Sequence, residues 1–317
     1  MNLVRRASQS RPAPQLPGGW LLLAAAVTLF AAGCSVSQKH AVKPGEAPAP
    51  LQTATKAQLI ESYNKLTADI KTLNATVTMK LTAGSAYSGV IEQYHEVNGF
   101  ILAEKPQNIR VIGQAPVVAK NIFDMVSDGE TFHIYIPSKQ KFLVGPAKLE
   151  RPAKKPVENL RPQHLLDAIF LPAIREGAPV LFEEAQDSSG HFYVLTELRQ
   201  LRASSDSPAP EREPAPELEI ERKIWFDRTN LNVARVEEFA EGGRLVSDVA
   251  YSGWDHFGAT LYPHQIVLAR PGDDYQLAIG IKKLTVNQPV GPDSFTLKQP
   301  PGTELVDLAE EAKEQKP

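Results

Sequence analysis

The side chains able to do covalent or acid–base chemistry are few and scattered. Cys34 is the only cysteine among 317 residues, so the chain cannot form an internal disulfide. Its thiol is either buried as a small hydrophobe or used as an attachment point. The seven histidines stand at 40, 95, 133, 164, 191, 256 and 264, and no pair has metal-ligand spacing. "GSAYSG" lacks the glycine two residues either side of a serine that a nucleophile elbow requires. There is no phosphate loop and no dinucleotide fingerprint. Glu183-Glu184 and Glu237-Glu238 are adjacent pairs, and adjacent residues on a strand point to opposite faces. These absences predict a protein that is not an enzyme and carries neither cofactor nor metal. No basic patch with interleaved aromatics appears, which argues against nucleic acid as a partner.

The flanks of Cys34 favour attachment. Arg5, Arg6 and Arg11 precede it without an acid, and Trp20 to Ala32 is an uncharged run of 13 residues. A membrane-spanning helix needs about 20 apolar residues, whereas this length fits the apolar part of a secretory signal. Ala31, Ala32 and Gly33 are small, as cleavage before residue 34 requires. The arrangement resembles the bacterial lipobox, in which the cysteine thiol receives a diacylglycerol and becomes the mature N-terminus. It departs from that pattern at Ala31, where leucine is usual. "VRRAS" is a weaker match to a twin-arginine signal, because the residues that should follow are missing. Ser35 is not the aspartate that retains Gram-negative lipoproteins at the inner membrane. The resemblance therefore implies an outer-membrane anchor, with the body facing the periplasm. The formal net charge of −3 becomes −6 once the leader's three arginines are removed.

The expected organisation is a signal peptide over 1–33, a Pro-rich tether over 34–54, a folded body over 55–307 and a disordered tail over 308–317. Within the body, "RASSDSPAPEREPAPE" is acidic and Pro-rich and predicts a disordered insertion over 203–218.

A helix is expected from Thr55, because Thr55 and Gln58 have capping-box spacing. Leu59, Tyr63, Leu66, Ile70 and Leu73 then make one apolar stripe. From Asn74 the period falls to two, with Val77, Met79 and Leu81 alternating with Thr and Lys. Fourteen strand-like runs follow one another at hairpin-length gaps, broken by a Pro-rich stretch (146–162) and a short apolar helix, "QHLLDAIFLPAI". A mainly β fold is implied: a curved antiparallel sheet forming an open half barrel. The N-terminal helix and the lid-like helical segment would cover its concave face. Phe132, Ile134 and Ile136 share one strand face. With Val77, Met79 and Leu81 they are candidates to line an apolar ligand cavity. The alternative is that these faces pack directly against the helix.

Ile101 to Phe142 carries Lys105-Pro106, Ile109-Arg110, Val126-Ser127-Asp128-Gly129-Glu130-Thr131 and Tyr135-Ile136-Pro137 in order. Downstream stand "LYPHQIVL" and a closing stretch with Phe295 and Pro300-Pro301-Gly302. This series resembles the LolA/LolB lipoprotein-sorting family. The resemblance implies a half barrel of about eleven strands, with helices plugging a cavity that takes lipoprotein acyl chains. It implies as partners the acyl chains of lipoproteins or phospholipid, and a periplasmic carrier protein. A lipid anchor is closer to the family's outer-membrane acceptor, which also bears a protruding apolar loop. The family's lid-contact arginine matches Lys105, and lysine does not reproduce arginine's hydrogen bonding. A second reading, from another class, is an envelope-stress sensor or assembly factor that uses the same fold to bind a protein.

Overall fold

A computed structural model describes residues 49–85, 90–147, 159–201 and 217–308. The chain divides into two compact units, Met1–Ala49 and Pro50–Pro317. The described residues belong almost entirely to the second. Cys34, the leader, most of the tether, the core of the 203–218 insertion and residues 309–317 lie outside them.

Two helices are described, α1 (Lys56–Asp69) and α2 (Pro162–Phe170). The strands are β1 (Thr72–Ser85), β2 (Val90–Gln93), β3 (Val97–Glu104), β4 (Asn108–Gln114), β5 (Asn121–Ser127), β6 (Thr131–Ile136) and β7 (Lys141–Pro146). After α2 come β8 (Val180–Gln186), β9 (His191–Gln200), β10 (Leu218–Asp227), β11 (Val233–Phe239), β12 (Leu245–Phe257), β13 (Thr260–Arg270), β14 (Tyr275–Val286) and β15 (Glu304–Asp307). They form one open curved sheet in the order β15-β7-β6-β5-β4-β3-β1-β14-β13-β12-β11-β10-β9-β8, with β2 paired to β1. Among the described residues the count is fifteen, not the eleven implied by the family resemblance. The additional strand beyond the fourteen readable runs is β15, which pairs with β7 in parallel through Glu304↔Lys141 to Asp307↔Val144.

The helix at Thr55 forms as its cap dictates. The Thr55 backbone N–H donates to Gln58 Oε1 at 2.8 Å, while the Thr55 hydroxyl accepts from the Gln58 amide. Leu59 and Tyr63 turn inward, 1% exposed each, and join one cluster with Leu165, Leu166 and Ile169 of α2. The sheet contributes alternate residues to that cluster. Leu73, Ala75, Val77 and Met79 of β1 are buried, and Ile279 and Ile281 of β14 stand beside them in register. On β4, Ile109 and Val111 point in while Arg110 and Ile112 point out. This is the period-two pattern of a sheet with one packed face. Gly99 is needed beside Met79, because a Cβ there would sit 2.6 Å from Met79 Cε and 2.5 Å from the Ile112 carbonyl oxygen.

The last turn of α2 leaves carbonyls that its own backbone cannot satisfy. The sheet supplies donors. Tyr251 Oη donates to Ala168 O and Tyr262 Oη to Ile169 O, both at 2.9 Å. Burial pushes both phenols well above their ordinary pKa, so both remain donors. Among the described residues, no helix is long and apolar enough to cross a membrane.

Candidate functional site

Val77 and Met79 lie in the core cluster under the helices, 0% and 5% exposed. Leu81 and Ile134 are half-buried and pack against the same cluster. Phe132 is buried and has the Arg161 guanidinium 5.2 Å above its ring, and Ile136 is half-buried. Ile134 pairs with Met125 of the core, which places the β6 trio on the inner face. The two trios share that face but stand apart, since β5, β4 and β3 separate β6 from β1. At about 4.8 Å per strand that is roughly 19 Å along the sheet.

None of these six lines the open cleft found at the ends of the two helices. A largely apolar cleft of about 540 Å³ lies between Thr67 and Ala68 of α1, Lys105 and Pro106 at the β3–β4 turn, and Phe170 and Leu171 at the end of α2. Lys105 spans it. Its ammonium donates to the Thr67 carbonyl and stands 5.1 Å from the Phe170 ring centroid. Partial burial lowers its pKa from the ordinary lysine value. One cation thus bridges the C-terminal ends of both helices, where exposed carbonyls favour positive charge.

The far side of the cleft is held more heavily. Arg222 of β10 donates to Pro172 O, to Ala173 O at 2.9 Å, and to the buried carboxylate of Glu197 on β9. Tyr63 Oη donates to Pro172 O at 3.0 Å. Asn64 closes a two-way pair with Ile174, accepting its N–H at 2.9 Å and donating to its carbonyl at 3.2 Å. Glu197 also accepts from the Arg175 N–H at 3.2 Å. The segment after α2 is therefore fixed from α1, β9 and β10 together. Nearby, burial pushes the Glu238 carboxyl up, with Asp167 adding to the effect. At the other end of α2, His164 Nδ1 lies 2.6 Å from Tyr275 Oη. Burial, with Arg270 and Arg161 close by, holds its pKa down at about 3.

These charged groups form ion pairs and carbonyl clamps rather than a nucleophile–base pair. No group of three possible metal ligands occurs among the described residues. What the arrangement can do is cover an apolar face with two helices and fasten them by a small set of polar contacts.

Two features were not anticipated from the sequence. Nothing local in the sequence marks Arg222 and Glu197 as buried. The β4–β5 loop carries Val117 and Val118, 93% and 70% exposed, with Phe100 and Ile122 also exposed on neighbouring strands. Here a signal existed: "APVVAK" places two β-branched apolar residues in a turn, where polar residues are usual.

No protein-family model matches the chain, and none of the curated proteins matches it. Solved structures do. The chain is similar to a LolA superfamily protein from Nitrosomonas europaea, with a TM-score of 0.45 and 11% identity over 77% of this chain and 99% of that one. It is similar to a DUF1329 family protein from Desulfovibrio piger, with a TM-score of 0.45 and 12% identity over 74% and 96% of the two chains. A domain assigned to outer membrane lipoprotein sorting, from Vibrio parahaemolyticus, is similar with a TM-score of 0.41 and 9% identity over 75% and 95%.

Proposed function

We propose that the protein holds acyl chains, of lipoproteins or of other lipid, on the apolar inner face of a half barrel beneath its two helices. In this reading it is itself a lipoprotein, attached through Cys34 to the outer membrane and facing the periplasm, where it takes cargo from a carrier protein. One observation carries the reading: two helices cover an apolar sheet face, meet at an open apolar cleft, and are fastened there by a small set of polar contacts. The helices act as a lid. When it lifts, Val77, Met79, Leu81, Phe132, Ile134 and Ile136 become cavity lining.

The sequence likeness to the LolA/LolB family supports the reading at one place. Lys105, matched to the lid-contact arginine, stands at the cleft against both helices. The test is mass spectrometry of lipid extracted from the purified full chain, beside titration of a fluorescent fatty-acyl probe. Co-purified lipid and saturable probe binding are expected. Lipid-free protein that binds no probe contradicts the reading.

A further inference from the structure

The sheet ends on β8, and among the described residues no strand lies beyond it. Its ladder to β9 fixes which backbone groups are free. Leu198 N–H donates to Pro179 O and Asp187 N–H to Gly190 O, so the odd-numbered positions are the ones bonded to β9. Val180, Phe182, Glu184 and Gln186 therefore turn their N–H and C=O groups outward. The Lys56 ammonium confirms this at one end, donating to Val180 O at 2.5 Å. Such a row is a template for a further strand, which natural proteins normally shorten, cover or charge.

The side chains on this edge are unusual for an uncovered strand. Leu181 is 58% exposed on the outer face and Phe182 is 38% exposed on the inner face, lying 5.2 Å from the Tyr193 ring. Acids follow directly. Glu183 is exposed and makes no ion pair among the described residues, and Glu184 pairs with Arg228 at 2.7 Å. Asp187 lies just beyond the strand. An incoming strand thus meets an apolar residue on each face and then negative charge.

We infer that β8 is a docking edge for an extended segment of a partner polypeptide that carries apolar side chains opposite Leu181 and Phe182 and a cationic one opposite Glu183. The backbone groups of Phe182, Glu184 and Gln186 provide the pairing, and the acids select the partner's sign. A second copy of β8 fits less well. Antiparallel self-pairing centred on residue 183 or 184 sets Glu directly against Glu, which is destabilising. The chain's own 203–218 stretch is also a poor occupant. It is acidic, and Pro208, Pro210, Pro214 and Pro216 each lack the N–H a ladder needs. The inference does not depend on what the apolar cleft binds.

The experiment uses the full chain and a labelled heptapeptide, Thr-Val-Lys-Lys-Val-Val-Thr, read by fluorescence anisotropy at low salt. The control peptide has both lysines replaced by glutamate. Saturable binding of the cationic peptide is expected, weakening as salt rises. Glu183→Lys should lower its affinity about fivefold, as an attraction becomes a repulsion. Phe182→Pro should abolish binding while leaving acyl-probe binding unchanged, because it removes an outward N–H and spares the β9 ladder. If that variant fails to fold, Glu183→Lys and hydrogen exchange at the Phe182, Glu184 and Gln186 amides still decide. No binding of the cationic peptide, equal binding of both peptides, or undiminished binding by Phe182→Pro overturns the inference. A dimer that forms through this edge in wild type and is lost in Phe182→Pro would show that a second copy is the occupant, and overturns it equally.

Discussion

Arg222 and Glu197 meet on neighbouring strands with side chains 7% and 1% exposed, and Arg222 also caps the backbone of Pro172 and Ala173. The pair joins the sheet to the segment after α2. Its charges are compensated by each other and by carbonyls, which is the condition for a buried ion pair to persist. On the opposite side of the cleft, a single lysine ammonium reaches α1 and α2. The fastening of the two helices is therefore unequal, firm near Arg222 and light near Lys105.

Removing one member of the buried pair leaves the other uncompensated. Arg222→Met should destabilise the fold by about 3–5 kcal/mol, and Glu197→Leu by a similar amount. The double variant should recover much of the loss, since both desolvation penalties disappear together. Urea melts of the four proteins check this. Additive losses in the double variant would show that the two side chains stabilise the fold independently.

Tyr262→Phe removes a donor to the Ile169 carbonyl without changing the packing shape. A loss of about 1–3 kcal/mol is expected, because that carbonyl is left buried and unpaired. Thermal melting measures it. An unchanged melt would mean that the end of α2 finds another donor.

His164 makes stability depend on pH. Its folded pKa is held at about 3, whereas the unfolded chain takes up a proton near the ordinary value of about 6.5. The unfolded state thus binds more protons in that window, so stability falls as pH falls through it. Between about pH 6.5 and about pH 4.5 the contribution is roughly 2–3 kcal/mol. Glu238 opposes it, because a raised carboxyl pKa favours the folded state at low pH. The difference between wild type and His164→Asn isolates the histidine. The variant should lose markedly less stability over the same range, and identical pH profiles would count against a buried neutral imidazole.

Cys34→Ala tests the anchor. Wild type grown with a radiolabelled fatty acid should carry label and fractionate with membranes. The variant should carry no label and appear as a soluble or uncleaved species. Equal labelling of the two would rule out the lipobox reading.

Local signals carried much of the fold. The Thr55–Gln58 cap, the stripe through Leu59 and Tyr63, and the alternation of β1 and β4 are set by residues a few positions apart, so they can be read without the tertiary structure. β15 could not be read that way. It is four residues long and owes its existence to β7, more than 150 positions earlier in the chain. The same holds for the cleft, which is made by Thr67, Lys105 and Phe170 from three distant segments. Periodicity located the apolar inner face. It could not show that Val77 and Met79 join one buried cluster with residues of both helices, nor where between those helices an opening remains.

Titration of a fluorescent fatty-acyl probe into wild type and Ile134→Asp, with thermal melting of both, decides whether the inner face holds acyl chains. Ile134 is half-buried on the inner face, at the edge of the core that the helices cover. If that face is a cavity when the lid opens, water reaches the new carboxylate and the variant stays folded. Probe affinity then falls, by up to about 0.8 kcal/mol for each methylene that loses its apolar contact. If the face is only packed core, an unpaired carboxylate costs several kcal/mol and the variant unfolds. Saturable binding by wild type and a folded variant with weakened binding are expected. A folded variant that binds as tightly as wild type, or a wild type that binds no probe, contradicts acyl-chain binding on that face.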